Sequence, residues 1–289
     1  MNTLTISLKD YLTLNKPRIL VLLDLAALAG AFLGIRLPFS LKQLIIMVLL
    51  LIAGSLASGG AGMINEGLEV DRDRVMKRTS KRPTVVGSVT PNVSILIGAI
   101  QSVVGVILGL LINPLTALFI ALGVLIYVFL YTMYLKPRTW WNIVIGGFAG
   151  SAAAWAGFSA ITGSFSVQAF LLGLLIFMWT PGHFWSLALR MREDYINANY
   201  PMLPSLTTER NSALAIAISN FLMLPLAFSL YFYTNIIYLY GCVILSMLII
   251  YSSVKLLINP TKEEAWESFK LSSPYLALIF ILIMISRLF

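Results

Sequence analysis

The sequence predicts an all-α, polytopic membrane fold of about nine spanning helices. Three observations carry that prediction. Hydrophobic residues make up 59% of the 289 positions and charged residues only 11%, against about a quarter charged in soluble domains. Apolar runs long enough to cross a hydrocarbon core of about 30 Å, which takes roughly 20 helical residues, recur along the chain. None alternates apolar with polar residues as a barrel strand would, so each must satisfy its own backbone as a helix.

The elements follow in order. The opening MNTLTISLKDYLTLNKPR is amphipathic and carries Asp10. Although Ala27-Leu28-Ala29 has the look of a cleavage site, the run at about 18–36 is long and reads as a retained span, with no processed leader expected. Further runs fall at about 42–64, 91–112, 115–135, 142–162, 166–189, 212–233, 235–257 and 272–289. Short turns (NP, TGSFS, TN) follow the third, fifth and seventh runs, and longer connections follow the even-numbered ones. The whole chain, 1–289, reads as one integral-membrane domain. A single cysteine, Cys242, lies inside an apolar run, which excludes a disulfide within the chain, a cysteine zinc site and an iron–sulfur cluster.

With the amino terminus on the cytoplasmic side, all of the 20 basic residues except Arg36, Lys42 and Arg287 fall on that side, as the positive-inside rule demands. The net charge of +8 therefore needs no nucleic acid. The expected location is the cell membrane, with the longer, polar connections cytoplasmic.

The first of those connections reads NEGLEVDRDRVMKRTSKRP, residues 65–83. Asn65, Glu69 and Asp73 are spaced i, i+4, i+8 and share one face of a continuous helix. Such an oxygen-bearing face at the mouth of a bundle suits Mg²⁺, which takes a few carboxylate or amide oxygens and completes its shell with water and substrate phosphate. The basic run that follows suits those phosphates. Asp71 points away from this face. A solvated, salt-bridged loop is the plain alternative, but Asn65 and Glu69 follow Gly59, Gly60 and Gly62 at the inner end of a span, where ionisable groups face cavities.

A second polar cluster ends the sixth run. His183, the chain's one histidine, follows Pro181-Gly182, a pair expected to interrupt the helix. Trp179, Phe184 and Trp185 beside it suit a flat apolar guest, while a hydrogen-bonded core histidine is the alternative. Glu193 and Asp194 with Arg190 and Arg192 form a second acid-plus-arginine group on the same side. Between the two clusters lies LKPRTWWNIVIGGFAG, residues 135–150, with glycines that permit close helix approach.

Three segments carry a resemblance across nearly the whole chain. They are Asn65-x3-Glu69-x-Asp71-x-Asp73 through Arg82-Pro83; Leu135-x2-Arg138-Thr139-x2-Asn142 through Gly147; and Thr180-Pro181-x-His183-Phe184-Trp185 through Asp194-Tyr195 and Pro201-Met202-Leu203-Pro204. The sequence resembles the UbiA-type intramembrane prenyltransferases, in particular the protohaem IX farnesyltransferase (haem O synthase) branch. Glu69 stands where that family usually has Asp, Gly182 where a second Pro is common, Ala153-Ala154 where a Pro pair is usual, and Ala198 where a further Asp is common.

The resemblance implies a UbiA-like bundle that transfers a farnesyl or longer prenyl group from an isoprenyl diphosphate to the 2-vinyl group of haem b. It implies Mg²⁺ held by Asn65, Glu69, Asp73 and Asp194, and diphosphate bound by Lys77, Arg78, Arg82, Arg138 and Arg190. His183, Trp185 and Asn142 are the expected haem contacts; membrane lipid and a haem A synthase are the expected neighbours. Two rival readings stand beside it: prenylation of a quinone precursor or lipid phosphate, and an ion-coupled transporter. The transporter predicts related halves, and no internal repeat or comb of mid-membrane charges is visible, Asp24 being an isolated acid in the first run.

Overall fold

The computed structural model describes residues 6–289, so the first five residues of the amphipathic opening lie outside it. Among the described residues, nine helices are long and apolar enough to cross a membrane. We number them α1 (Pro17–Gly34), α2 (Leu41–Leu68), α3 (Pro91–Ile112), α4 (Pro114–Leu135), α5 (Asn142–Thr162), α6 (Val167–Arg190), α7 (Glu209–Tyr233), α8 (Ile236–Ile258) and α9 (Lys262–Ser286). Consecutive helices pack side by side, α9 returns against α1, and α1 against α5 and α6 against α9 make the central crossings. Large apolar residues such as Ile107, Leu111, Ile244 and Met247 remain exposed on the outer faces, as in a bundle whose solvent is lipid.

The sequence sets the helix starts locally. Proline opens α1, α3 and α4, where its missing N–H is no loss. Ser40 and Gln43 form a reciprocal capping box on α2, and Thr90, Asn113, Thr208 and Thr261 cap α3, α4, α7 and α9 with their side chains. Small residues allow the close crossings: a Cβ on Gly157 of α5 would collide with the Ala27 carbonyl of α1, and one on Gly60 of α2 with the Gly98 carbonyl of α3. At the end opposite the polar connections, the Arg287 guanidinium donates to the carbonyls of Ile35, Tyr233 and Phe32 at 3.1, 3.3 and 3.4 Å. It thereby ties the ends of α1, α7 and α9 together.

Three local expectations change. Asn65, Glu69 and Asp73 do not lie on one continuous helix: α2 stops at Leu68, Glu69 takes φ −100° and ψ 7°, and a short helix, Val70–Val75, follows. The i to i−4 bonds from Glu69 N to Asn65 O (3.1 Å) and from Asp73 N to Glu69 O (2.8 Å) persist across the bend, so the three side chains still face inward. Pro181-Gly182 does not interrupt α6. Ser219 of α7 inserts there, accepting from Gly182 N–H at 3.0 Å and donating to the Met178 carbonyl at 2.6 Å, which satisfies the backbone beside the proline. Finally, α9 begins at Lys262, ten residues before its apolar run, because Thr261 caps a polar first turn containing Glu263 and Glu264.

Candidate functional site

At the end of the bundle that carries the longer connections, five oxygen-bearing side chains are buried together with basic partners. Asn65, Glu66, Glu69, Asp73 and Asp194 are each no more than 6% exposed. Charged groups are costly to bury unless paired, and each buried acid from the first connection finds a cation. The Lys16 ammonium donates to Asn65 Oδ1 at 2.7 Å and lies 3.7 Å from Glu66. Arg82 reaches Asp73 at 2.5 Å and Glu66 at 3.5 Å. Lys136 donates to both Glu69 oxygens, at 2.6 and 2.7 Å. Asp194 joins the first connection to the one after α6 by accepting from the Arg78 backbone N–H at 3.2 Å.

Each basic group reaches the acids through a particular piece of backbone. Lys16, between the short helix Leu8–Leu14 and α1, adopts a left-handed φ of 53°, costly for a residue with a Cβ. Its neighbour Asn15 is locked by Gln101 Nε2, which donates to Asn15 Oδ1 at 2.6 Å. Lys136 follows a π-helical stretch, Ile126–Leu135, a departure from α geometry that often marks functional positions. This stretch turns Thr132 toward Asn65, whose Nδ2 donates to it at 3.1 Å, and brings the Tyr127 hydroxyl 3.5 Å from the Lys16 ammonium.

The electrostatics follow from burial and pairing. Burial and the neighbouring Arg82 charge lower Lys16 to about 8, against the opposing pull of Glu66 and Glu69. Burial alone would raise Glu69, but the Lys136 charge and hydrogen bonds outweigh it and hold this carboxyl below its usual range. Burial works against Arg82 also, yet Glu66 and Asp73 raise its pKa. The cluster is a compensated array of fixed charges with one open position: Glu66 Oε2 is buried and has no hydrogen-bond partner among the described residues.

Of the residues expected to bind diphosphate, Arg82 lies inside this array, while Lys77 and Arg78 stand exposed at its rim. Arg138 and Arg190 are engaged elsewhere. Arg138 caps the Met133 and Tyr134 carbonyls at the end of α4, both at 2.9 Å, and Arg190 pairs with exposed Glu263 at 2.8 Å. Lys16, Glu66, Lys136 and Thr132 belong to the array but were not singled out from the sequence. Asp71 is exposed.

The three expected haem contacts divide between two sides of α6. Trp185 packs with Met76, Ile143, Tyr195 and Tyr200 on the acid side, near Trp140; its Nε1 and the Asn142 Oδ1 are buried without partners among the described residues. His183 faces α9. Its ring is stacked between Trp179 and Phe269, at 4.3 and 4.5 Å between centroids, and its Nδ1 lies 2.5 Å from Ser272 Oγ. Ser272 Oγ also lies 2.8 Å from the Phe269 carbonyl, so this hydroxyl links the imidazole to the α9 backbone. His183→Ala is expected to cost about 2–3 kcal/mol of stability through the lost stack and hydrogen bond. The optical spectrum of added haem should not change; a changed spectrum would show iron on Nε2.

The donor set fits a hard divalent cation. Asn65 Oδ1, Glu66 Oε2, Asp73 and Asp194 offer only oxygen, as Mg²⁺ prefers, and the unpartnered Glu66 oxygen is a buried acceptor. Among the described residues no three His, Cys, Asp or Glu side chains converge as a metal-binding group, and a Mg²⁺ ion here would complete its shell with water and substrate oxygens.

A helical membrane bundle with buried acids and cations at one mouth has the form of an intramembrane transferase of anionic substrates. The chain belongs to the UbiA prenyltransferase family, whose sequence profile matches residues 24–280. A protoheme IX farnesyltransferase of Sulfurisphaera tokodaii is 60% identical over 287 residues, covering 99% of this chain and 95% of that protein. Another, from Metallosphaera sedula, is 56% identical and covers 96% of each. Among solved structures, a digeranylgeranylglyceryl phosphate synthase superposes with a TM-score of 0.78 at 20% identity, over 97% of this chain and 98% of that one. A UbiA homolog from Archaeoglobus fulgidus, bound to GPP and Mg²⁺, gives 0.68 at 17% identity, over 95% and 99%. At those identities the two structures share the fold with this chain.

Proposed function

We propose that this chain, as one integral-membrane domain over residues 1–289, transfers a farnesyl group from farnesyl diphosphate to the 2-vinyl group of protohaem IX and releases diphosphate. The product is haem O. The observation that carries this reading is the buried array of Asn65, Glu66, Glu69, Asp73 and Asp194 with Lys16, Arg82 and Lys136, in a chain 60% identical to a protoheme IX farnesyltransferase.

Diphosphate binds at the array, with Arg82, Lys16 and Lys136 available to its oxygens and Lys77 and Arg78 at the rim. Asn65, Glu66, Asp73 and Asp194 would hold Mg²⁺, which would supply charge neutralisation of the departing diphosphate. Carbon–oxygen cleavage then leaves an allylic cation, whose premature capture by water the apolar bundle discourages and which aromatic faces stabilise. Tyr127 and Tyr131 stack 5.7 Å apart beside the array and offer such faces. The vinyl π electrons form the new carbon–carbon bond, and water captures the resulting cation with loss of a proton, which gives the hydroxyalkyl side chain.

Because the vinyl must reach a carbon whose diphosphate sits at the array, the porphyrin belongs on the Trp185 and Asn142 side of α6, and His183 enters as packing. The array is placed on the cytoplasmic face of the cell membrane, following the distribution of basic residues. Surrounding lipid and a haem A synthase are the proposed neighbours. Diphosphate release by the purified protein with farnesyl diphosphate and Mg²⁺ should depend on added haem b. Equal release with a phenolic quinone precursor or a glycerol phosphate lipid in place of haem would assign a different acceptor.

A further inference from the structure

Tyr200 is 2% exposed, and its main chain is fixed on every side. Its N–H donates to the Tyr195 carbonyl at 2.9 Å, and its own carbonyl accepts from Met202 N–H at 2.8 Å and from Ser205 Oγ at 3.0 Å. Asn199 immediately before it is held at φ 52°. Lys16 and Asn199 are the two non-glycine residues with positive φ among the described residues, and each delivers a side chain, its own or its neighbour's, to the array.

The Tyr200 ring carries two cations beside it, the Arg72 guanidinium at 4.7 Å and the Lys136 ammonium at 4.6 Å from its centroid. The hydroxyl lies beside the Glu69 and Arg72 side chains but makes no hydrogen bond of good length and angle to either among the described residues. Glu69 is already occupied, taking both bonds from Lys136. Burial, reinforced by the charge and proximity of Glu69 and opposed by Arg72, raises the hydroxyl's pKa, so it remains a neutral donor at working pH. Buried polar groups without partners are rare in native proteins. A rigid, neutral donor flanked by two cations is complementary to an anionic oxygen and repels a cationic guest.

We propose that Tyr200 is a diphosphate-binding residue whose hydroxyl donates a hydrogen bond to a diphosphate oxygen of the isoprenoid substrate. The bond strengthens as carbon–oxygen cleavage moves charge onto the leaving group. This deepens the prenyl-transfer reading and rests on it. The discriminating variant is Tyr200→Phe, which keeps the ring between its cations and removes only the hydroxyl.

In detergent, the ligand-free variant should melt at or above the wild-type temperature, because an unsatisfied buried hydroxyl has been removed. Its affinity for inorganic pyrophosphate with Mg²⁺, measured by calorimetry, should fall by ~10-fold, as expected for a hydrogen bond to a charged acceptor. The kcat/KM for farnesyl diphosphate should fall by a similar factor, with the KM for haem b unchanged. Pyrophosphate affinity within twofold of wild type would overturn the proposal, and so would a lowered ligand-free melting temperature, which would mark the hydroxyl as structural. The pyrophosphate arm contains no acceptor, so failure of the haem assignment leaves it readable.

Discussion

Asp73→Asn is expected to lower turnover by at least ~10²-fold while the protein keeps its fold. Asp73 is 2% exposed and reaches Arg82 at 2.5 Å, so its carboxylate is a fixed charge of the array. Asn has nearly the same shape and still offers Arg82 an oxygen, and Arg82 keeps Glu66 at 3.5 Å; packing therefore survives. What disappears is a negative oxygen proposed to hold Mg²⁺ at the leaving group, a contribution of several kcal/mol in metal-assisted reactions, and each 1.36 kcal/mol is tenfold in rate. Asp71→Asn is the internal control: two residues away and exposed, it should leave haem-dependent diphosphate release within about twofold of wild type, as surface substitutions usually do. Equal losses in the two variants would make the charge density of the connection, not the inward face, the relevant property.

The second large effect concerns stability. Lys136→Met should cost about 3–5 kcal/mol, because removing one partner of a buried ion pair leaves the other charge uncompensated. Here that charge is Glu69, 6% exposed and bonded through both oxygens to Lys136. The double variant Lys136→Met/Glu69→Gln should recover most of the loss.

The pH dependence has opposite signs in the two proteins. In wild type the folded Glu69 carboxyl titrates below its unfolded value, held there by Lys136 against the effect of burial. Its stabilisation is therefore complete above the unfolded carboxylate pKa of ~4.3 and is lost as pH falls through the folded value. In Lys136→Met burial, the largest single influence on Glu69, is opposed only by the Lys16 and Arg82 charges; the folded carboxyl is expected to rise, and stability to fall as pH rises above ~4.3. Thermal unfolding of both proteins in detergent between acid and neutral pH reads the reversal directly; parallel curves would show that the pair is not a determinant of stability.

Much of the architecture was legible because hydrocarbon length and charge placement are local properties. The nine spans and the single polar end follow from runs of apolar residues and the position of Lys and Arg. The inward set Asn65, Glu69 and Asp73 also followed from spacing, although the bend at Glu69 did not. The basic half of the site was less legible, since Lys16 and Lys136 meet Asn65 and Glu69 across 49 and 67 residues. Neither pairing leaves a periodic signal.

The π-helical register of Ile126–Leu135 that turns Thr132 inward has no compositional mark either. Arg138 shows the converse case: it sits just beyond the end of α4, where a cation commonly caps carbonyls, a signal present in the sequence, whereas its expected place at the diphosphate came from the family resemblance. At Pro181 the local rule for a helix break was overridden by tertiary structure, because Ser219, 37 residues from Gly182, supplies the backbone contacts.

Activation of farnesyl diphosphate by the array toward the vinyl group of haem b is the reaction proposed. Its most direct test is the mass of the haem recovered after purified protein has turned over with haem b, farnesyl diphosphate and Mg²⁺ in ¹⁸O-labelled water. Wild type and Asp71→Asn should yield haem that has gained one farnesyl group and one hydroxyl carrying the label, and Asp73→Asn should not. Haem recovered unchanged while diphosphate is released, or a farnesylated haem formed equally well without Asp73, would contradict the proposed reaction.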